Sequence, residues 1–340
     1  MICGQPSNPS RSVYPRNIKI NKILFFLTLR VFCLPEIFQY QGWTGTGVES
    51  PGARSRRPRT RTRKYTECTA AMSKKFFDPE PRVFAHRGAS GAYPENTLAS
   101  FREAVRIGVD VIETDVHFTR DHRFVVAHDG ELGRICDGSG AVEDYTLPEL
   151  KKFDAGYGFS TDGGQSHPFR GKGLTLISLE ELLEEFPRQR FNIDLKAKNP
   201  AQVPYYCELV EKCGAVHRVL TASEHSDNTR PVRARFPEMA TSFSMSEALW
   251  YYFMFRSGLL YFRKHFPADV LQIPEFFGPS RVVSETFVEQ AHRKGLRVHV
   301  WTINDEQGMR RIYNTGADAV MSDHPALLKK VAAGYFPPEG

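Results

Sequence analysis

From residue 82 to residue 322, short apolar runs alternate with stretches in which apolar residues recur every three or four positions. Short apolar runs bounded by turn residues are typical of buried strands, and the longer spacing is typical of helices packed on one side. Strands are predicted at 82–86, 110–115, 124–128, 190–195, 217–221, 239–243, 269–273, 297–302 and 318–322. The clearest helical stretches are 98–107, 146–153, 178–186, 284–294 and 305–314.

The ends of these helices carry recognisable signals. Asn96 and Thr97 open the helix at 98–107, and Ser178 is the expected N-cap of the helix at 178–186. Strands and helices that alternate without separating into two halves predict an α/β fold, namely a TIM-type (β/α)8 barrel. A doubly wound parallel sheet is the alternative.

One segment, at about 130–173, interrupts this alternation. It is rich in Gly, Asp and Ser and contains a single helical stretch, 146–153. Loops of this length inside a compact domain are usually functional. We expect an inserted loop-rich segment, either a plain insertion or a lid over one face of the barrel.

The connection between the predicted strands 110–115 and 124–128 is short. A parallel crossover needs a dozen or more residues, so the second strand should fold back on the first as an antiparallel hairpin. Asp121 and His122 are the expected two-residue turn, although Asp-Gly would be the stronger signal.

This turn fixes a register for the hairpin. If Arg120 lies opposite Arg123, then Asp115 lies opposite His128. Glu113 and Asp115 are two residues apart and therefore share a face. The register predicts that Glu113, Asp115 and His128 meet on one side of one ribbon.

Buried carboxylates on this ribbon point to a cation. Two neighbouring carboxylates raise each other's pKa unless a cation lies between them, and burying them unpaired is costly. A third carboxylate, Asp194, shares a face with Lys196 near the end of strand 190–195, where barrel active sites lie. All-oxygen ligands suit Mg²⁺ or Ca²⁺ better than zinc. For Glu113-x-Asp115 alone, a solvated strand edge is the alternative.

A second polar cluster, His86-Arg87-Gly88, ends the first strand. Arginine offers bidentate donors to phosphate, glycine lets backbone amides come close to a ligand, and histidine transfers protons near neutral pH. The cluster therefore suits an anion. A turn with a capping histidine is the alternative.

Taken in order, eight motifs resemble the glycerophosphodiester phosphodiesterase family over nearly all of 82–325. The motifs are His86-Arg87-Gly88, Glu95-Asn96-Thr97, Glu113-Thr-Asp115-Val, Thr119-Arg-Asp121, Val125-Val-Ala-His128-Asp129, Asn192-Ile-Asp194-Leu-Lys196, Val300-Trp301-Thr302-Ile-Asn304 and Met321-Ser-Asp323-His-Pro325. Each motif alone is weak, but eight in order are specific. The resemblance implies a TIM-type barrel, one divalent cation (Mg²⁺ or Ca²⁺) and a phosphodiester substrate.

The resemblance also implies roles by motif position. They are a catalytic pair, His86 and His128, three metal ligands, Glu113, Asp115 and Asp194, and two phosphate contacts, Arg87 and Lys196. Trp301 ends a predicted strand, where core packing and a wall of the substrate pocket are equally good interpretations.

Three positions depart from the family pattern. The acid at 194 is usually Glu, so Asp194 is one methylene shorter, which bears on metal distance or preference. The hairpin turn is Asp-His where Asp-Gly is expected. The last strand ends in Ser322-Asp323 rather than Thr-Asp.

The resemblance implies a metal-dependent hydrolase of glycerophosphodiesters such as glycerophosphocholine or glycerophosphoethanolamine. Its products would be glycerol 3-phosphate and an alcohol, with one histidine as base and the other as acid. Lysophospholipase D action at a membrane surface and a sphingomyelinase-D-like transfer to an internal hydroxyl are alternatives. So is a catalytically silent binding or scaffold barrel, although such a barrel has no need of this polar cluster.

Charge is unevenly distributed along the 340 residues. The formal net charge is +6, but residues 1–75 contain 14 Lys and Arg against three acids, which leaves 31 basic and 36 acidic residues in 76–340. The main domain is mildly acidic and offers no general electrostatic basis for nucleic-acid binding.

Residues 1–75 are predicted to be a basic extension that is either disordered or not part of the natural protein. Its apolar stretch, 23–34, is too short for a spanning helix, but it leaves secretion or anchoring open. Residues 76–340 would form the catalytic barrel, in the cytoplasm or at a membrane periphery. The six cysteines form no C-x-x-C motif, so neither a zinc site nor a redox motif is indicated.

The segment 249–263 is strongly apolar and aromatic, although it contains Arg256. A buried barrel helix and a contact between copies of the chain are two interpretations. The third is a peripheral membrane contact through a lipid-facing helix near the barrel mouth. That contact would favour lysophospholipids over soluble substrates. The sequence leaves the oligomeric state open.

Overall fold

The computed structural model describes residues 74–197 and 199–337. The predictions for residues 1–73, including the apolar stretch 23–34, lie outside these residues. The strands of the described part are β1 (Val83–His86), β2 (Val111–Phe118), β3 (Phe124–Val126), β4 (Arg190–Leu195), β5 (Val219–Ala222), β6 (Ala240–Thr241), β7 (Val270–Pro274), β8 (Phe276–Phe277), β9 (Ser280–Arg281), β10 (Arg297–Trp301) and β11 (Ala319–Ser322).

Eight of these strands run parallel and form a nearly closed barrel. Their order is β6-β5-β4-β2-β1-β11-β10-β7. A parallel bridge between Ser242, just beyond β6, and Val270 in β7 joins the two edges. The predicted TIM-type (β/α)8 barrel is therefore confirmed, and the doubly wound sheet, whose edges stay apart, is excluded.

Helices lie between most of the strands. They are α1 (Leu98–Ile107), α2 (Leu147–Leu150), α3 (Leu179–Glu185), α4 (Val203–Lys212), α5 (Ser226–Arg235), α6 (Met245–Ser257), α7 (Glu285–His292), α8 (Glu306–Tyr313) and α9 (Pro325–Ala332). The predicted caps are present: Thr97 accepts from the Ser100 N–H, and Ser178 accepts from the Glu181 N–H. Of the helices in the described residues, none is long and apolar enough to cross a membrane.

The amino-terminal end of the barrel is closed by a short 3-10 helix, Lys75–Phe77. Phe76 and Phe77 are buried in a cluster with residues from the barrel interior, such as Phe84. Lys74 donates to Asp269, just before β7, at 2.9 Å. Since this end is filled by aromatic rings, the opposite end is left for a site.

The hairpin of β2 and β3 is one residue out of the predicted register. Phe118 lies opposite Phe124, and the Thr119 N–H donates to the Arg123 carbonyl at 2.8 Å. The loop therefore has three residues rather than two. It closes through His122, whose φ of 62° is the left-handed conformation that such loops need.

The shift changes what lies opposite Asp115. Ala127 takes that place and donates its N–H to the Asp115 carbonyl at 3.0 Å. The predicted pairing of Asp115 with His128 is therefore wrong. The ladder ends at Val126, so His128 lies beyond the strand and its direction is set by the loop that follows.

The insertion between β3 and α3 is confirmed as a loop-rich segment with a small core of its own. Its helical parts are two short 3-10 helices, Leu132–Arg134 and Val142–Asp144, and the single turn α2. The core consists of Val125, Leu132, Cys136, Val142, Leu147, Leu150, Ala155 and Leu176. This packing holds the insertion against the barrel near the end of β3.

His299 in β10 is buried in the barrel interior without a partner for either ring nitrogen. Its ring centroid lies 4.7 Å from that of Phe84. Burial lowers the pKa of His299 to about 3. Below about pH 6.5 the unfolded chain therefore binds a proton that the folded chain does not bind. The unfolding free energy must then decrease as the pH falls below about 6.5.

We expect this residue to reduce the unfolding free energy by about 2 kcal/mol between pH 7.5 and pH 5, since each pH unit below 6.5 costs about 1.4 kcal/mol. His299→Leu should abolish that loss, as measured by urea unfolding at both pH values. The exposed His292 provides the control, His292→Leu. An unchanged acid loss in His299→Leu would refute the uncharged burial of His299.

Candidate active site

The predicted site residues meet at the carboxyl ends of three adjacent strands. His86 in β1 lies beside Glu113 in β2, and Asp115 in β2 lies beside Asp194 in β4. Glu113 and Asp115 are both buried. Parallel strands in a barrel place these ends on one face, so the structure brings these residues to the same end of the barrel.

Two cations lie among the carboxylates. Lys196 Nζ is 2.6 Å from Asp194 Oδ2 and 3.2 Å from Asp115 Oδ1. Arg87 Nε is 3.4 Å from Asp115 Oδ2, and its Nη1 is 3.2 Å from Glu95 Oε1. Both predicted phosphate-contacting residues thus lie in the cluster, held by the acids.

The backbone turns sharply just after His86. Arg87 has a φ of 55°, an uncommon conformation for a side-chain-bearing residue, and its N–H donates to Glu113 Oε2 at 3.0 Å. Gly88 follows with a φ of 83°, and a Cβ there would lie 2.2 Å from Ser100 Oγ. Only glycine fits beside α1, which explains the His-Arg-Gly sequence.

The electrostatics of the three carboxylates differ. Burial and the neighbouring Asp115 raise the pKa of Glu113 to about 7. Burial also raises the pKa of Asp194, although Lys196 opposes it. Burial would raise the pKa of Asp115 as well, but Lys196 and Arg87 lower it below its usual value. Of the three carboxylates, Asp115 is therefore the one whose ionised form the two cations favour most.

The chemistry of these three carboxylates suits a hard divalent cation. Every donor is a carboxylate oxygen, the type that Mg²⁺ and Ca²⁺ prefer, and Asp194 Oδ1 is buried without a hydrogen-bond partner. In residues 74–197 and 199–337, no three acidic, histidine or cysteine side chains form a ready metal-binding group as they stand. The Lys196 ammonium lies between two of the predicted ligands.

His86 is oriented by an aspartate at the end of β11. Its Nδ1 lies 2.7 Å from Asp323 Oδ1, and Asp323 also accepts from Ser90 Oγ at 2.9 Å and Asn304 Nδ2 at 2.6 Å. Burial would lower the pKa of His86, but Glu113 and Asp323 raise it above its ordinary value. Burial would raise the pKa of Asp323, but its hydrogen bonds lower it to about 2.

His128 is held by a similar aspartate. Its Nδ1 lies 2.5 Å from Asp129 Oδ1, and Asp129 is paired with Arg134 of the insertion. Arg134 also binds Glu95 through two hydrogen bonds of 2.8 Å. Burial would raise the pKa of Asp129, but Arg134 and His128 lower it to about 2. The insertion therefore fixes the support of one predicted catalytic histidine.

Two further observations concern His128. Its charge is one of those that lower the pKa values of Asp115 and Glu95. The His117 Nε2 donates to the His128 carbonyl at 2.9 Å, which fixes the backbone beyond β3. The charges of both histidines, which come from different elements, lower the pKa of Asp115, even though the predicted hairpin register is wrong.

The rim of the barrel mouth carries exposed aromatic rings. Trp301 ends β10, pairs in register with Pro274 and is 40% exposed. The short hairpin of β8 and β9, which follows β7, leaves Phe276 and Phe277 half exposed. Buried Glu275 anchors this hairpin by binding Arg311 and Arg281. The pocket-wall interpretation of Trp301 stays a prediction.

Sequence reasoning assigned no role to the residues that hold the two histidines. These are Ser90, Glu95, Asp129, Arg134, Asn304 and Asp323. Two signals were available: Asp129 directly follows His128, and Asp323 follows the last strand, where a polar residue faces the barrel mouth. No sequence signal connects Arg134 with Glu95, because 38 other residues separate them and the insertion has no regular pattern.

A family model described as the glycerophosphoryl diester phosphodiesterase family matches residues 86–327. The chain is 29% identical to a glycerophosphodiester phosphodiesterase of Bacillus subtilis (strain 168), over 79% of this chain and 93% of that protein. It is 28% identical to a lysophospholipase D of Homo sapiens, over 72% of this chain and 84% of that protein.

Solved structures agree with these sequence matches. An Oleispira antarctica phosphodiesterase in complex with the product sn-glycerol-3-phosphate is 28% identical, with a TM-score of 0.60 over 75% of this chain and 98% of that chain. A glycerophosphoryl diester phosphodiesterase domain from Mycobacterium tuberculosis is 22% identical, with a TM-score of 0.65 over 74% of this chain and 98% of that chain, and supports the fold.

Proposed function

The chain belongs to the glycerophosphoryl diester phosphodiesterase family and is a phosphoric diester hydrolase, and from this premise we propose how its site acts. We propose that it hydrolyses glycerophosphodiesters such as glycerophosphocholine or glycerophosphoethanolamine to glycerol 3-phosphate and an alcohol. The observation that carries the proposal is that two histidines, each held by an aspartate, both lie near enough to buried Asp115 for their charges to lower its pKa.

Arg87 and Lys196 are the proposed contacts to the substrate phosphate. A guanidinium has five N–H donors and an ammonium has three, so both side chains retain donors beyond those engaged by the carboxylates. Placed at the mouth of a buried site, two cations attract a phosphodiester anion and fix its orientation.

Glu113, Asp115 and Asp194 are the residues that would hold a divalent cation, which when bound would supply positive charge to a non-bridging phosphate oxygen. The carboxylates themselves hold Arg87 and Lys196 in place. Burial raises the pKa of Glu113 and of Asp194, with repulsion from Asp115 as a further cause, and a bound cation would offset both effects, which supports the assignment.

The histidines would transfer the protons. With Nδ1 bound to Asp323 or Asp129, each ring keeps Nε2 for the reaction. One imidazole takes a proton from the nucleophile and the other gives one to the leaving alcohol. Water as nucleophile gives glycerol 3-phosphate directly, whereas an internal hydroxyl, as in a sphingomyelinase-D-like reaction, leaves a cyclic phosphate that phosphorus NMR detects.

Chelation tests the assignment of the acids. We expect EDTA to lower glycerophosphocholine turnover by at least about 10² and added Mg²⁺ or Ca²⁺ to restore it, as measured by release of glycerol 3-phosphate. A control treated with EDTA already saturated with Ca²⁺ should keep full activity. Turnover that persists after complete chelation would refute the metal assignment.

A second candidate substrate is a lysophospholipid. The exposed rings of Trp301, Phe276 and Phe277 at the mouth favour it, because a single acyl chain leaving the site would meet apolar surface there. Turnover of lysophosphatidylcholine in mixed micelles, compared with soluble glycerophosphocholine, separates the two candidates. A lipid preference that survives Phe276→Ser/Phe277→Ser would contradict a role for this rim.

A further inference from the structure

Exposed hydrophobic side chains are concentrated in one part of the described chain. Thirteen large ones are exposed there, and seven of them fall between residues 245 and 262. These seven, which we call the α6 face, are Met245, Leu249, Trp250, Phe253, Leu259, Tyr261 and Phe262. Single exposed hydrophobic residues are ordinary, whereas a concentration of this kind marks an interaction surface.

Helix α6 does not need these residues to pack against the barrel. Tyr251 and Met254 are its fully buried side chains, and Tyr251 packs against Phe243 and Phe287. The opposite side of a barrel helix is normally polar. Here Trp250 and Phe253 stack on each other on the outer side, with ring centroids 5.3 Å apart. The outer side is therefore apolar without serving the core.

The α6 face runs along the side of the barrel. The chain leaves β6 at the mouth and must return to the amino-terminal end of β7. Met245, in the first turn of α6, therefore lies towards the mouth. Tyr261 and Phe262, which are 83% and 78% exposed, lie towards the closed end. The sequence predicts a contact near the mouth only. In the structure the exposed apolar residues continue along the whole length of α6.

Beyond the first turn of α6, where Glu247 is already paired with Arg233, the charges along the α6 face have one sign. Residues 248–268 contain three cations, Arg256, Arg263 and Lys264, and no acid. All three are exposed, and no ion pair within residues 74–197 and 199–337 engages any of them. Two copies of the chain joined through this face would bring like charges together. Anionic headgroups would instead complement them.

We propose that the α6 face binds the surface of an anionic phospholipid membrane, with α6 lying in the interface. Tryptophan, tyrosine and phenylalanine suit the boundary between headgroups and acyl chains, and the three cations would contact lipid phosphates. The barrel then lies on its side with the mouth edge near the membrane. In this orientation a lysophospholipid would pass from the membrane to the mouth, a consequence that rests on the proposed function. Membrane binding itself does not depend on the proposed function.

The test is cosedimentation of the full-length protein with vesicles of phosphatidylcholine, with or without phosphatidylserine. Binding is expected to be stronger with phosphatidylserine. Trp250→Ser/Phe253→Ser/Tyr261→Ser/Phe262→Ser should weaken it at least about tenfold. Arg256→Gln/Arg263→Gln/Lys264→Gln should weaken it to a similar degree for phosphatidylserine vesicles only.

The matched control is Tyr157→Ser/Tyr205→Ser, which removes exposed aromatic rings outside the α6 face, one in the insertion and one in α4, and should leave binding unchanged. Unchanged hydrolysis of soluble glycerophosphocholine shows that each variant is folded. If wild type lacks that activity, the proposed function fails, and vesicle binding is then judged alone, with circular dichroism as the folding check.

Three results would overturn the proposal. One is wild-type protein that binds neither vesicle. Another is full binding by the serine variant, which would assign binding to residues outside the α6 face. The third is a wild-type dimer that becomes monomeric in the serine variant while neither binds lipid, because the α6 face would then join two copies of the chain.

Discussion

Replacing His86 or His128 by alanine is expected to lower kcat for glycerophosphocholine by about 10²–10⁴, the usual contribution of a positioned acid or base. The expectation follows from the orientation of both rings by half-buried aspartates and from the effect of both ring charges on the pKa of Asp115. Initial rates of glycerol 3-phosphate release measure the effect. Full activity in both variants would end the two-histidine mechanism.

The same two variants can separate acid from base. A 4-nitrophenolate leaving group needs little protonation, so the variant that lacks the acid should recover most of its rate with a 4-nitrophenyl phosphodiester of glycerol. The variant that lacks the base should remain slow with both substrates. Equal losses with both leaving groups in both variants would contradict a division of roles.

The chain provides a matched control for this pair. His292 Nε2 lies 2.8 Å from Asp318 Oδ2, and Asp318 comes just before β11, at the closed end of the barrel. His292→Ala removes a histidine–aspartate contact of similar length that is remote from the site. It should leave kcat unchanged, which excludes a general effect of losing a histidine.

The architecture was predictable because its signals are local and repeated. The barrel strands are short and mostly apolar, and helix ends such as Thr97 and Ser178 have side chains that cap the following backbone. The meeting of Glu113, Asp115 and Asp194 followed from the rule that barrel strands present their carboxyl ends on one face. None of these inferences required knowledge of a loop conformation.

What could not be predicted depends on loops. The hairpin register depends on a left-handed residue, His122, and nothing in Asp-His distinguishes a two-residue turn from a three-residue loop. A slip of one residue moves every side chain to the other face, so the predicted pairing of His128 with Asp115 was wrong, and the catalytic role of His128 stays a prediction. The contact of Arg134 with Glu95 could not be predicted either, because it depends on the conformation of the insertion.

The aspartates that support the two histidines are held by different parts of the chain. Asp323 is fixed by Ser90 and Asn304, which belong to the barrel rim. Asp129 is fixed by Arg134, which belongs to the insertion. Opening of the insertion would therefore release the support of His128 while leaving that of His86 intact.

The second large effect is expected at Asp194. Asp194→Asn keeps the shape of the side chain but removes its charge, and it should lower kcat/KM by about 10² or more through loss of cation binding. Isothermal titration with Ca²⁺ or Mg²⁺ should show a parallel loss of affinity. Asp194→Glu, which supplies the acid usual in the family, is the control and should retain both.

Stability separates this chemical role from a structural one. Asp194 Oδ1 is buried without a partner, and burial raises the pKa of Asp194, so an uncharged amide relieves an electrostatic cost. Lys196 keeps Asp115 as a partner in the variant. We therefore expect Asp194→Asn to unfold at the same or a higher urea concentration than wild type while losing activity. A fall in stability that parallels the fall in activity would show that Asp194 acts through folding rather than through a cation.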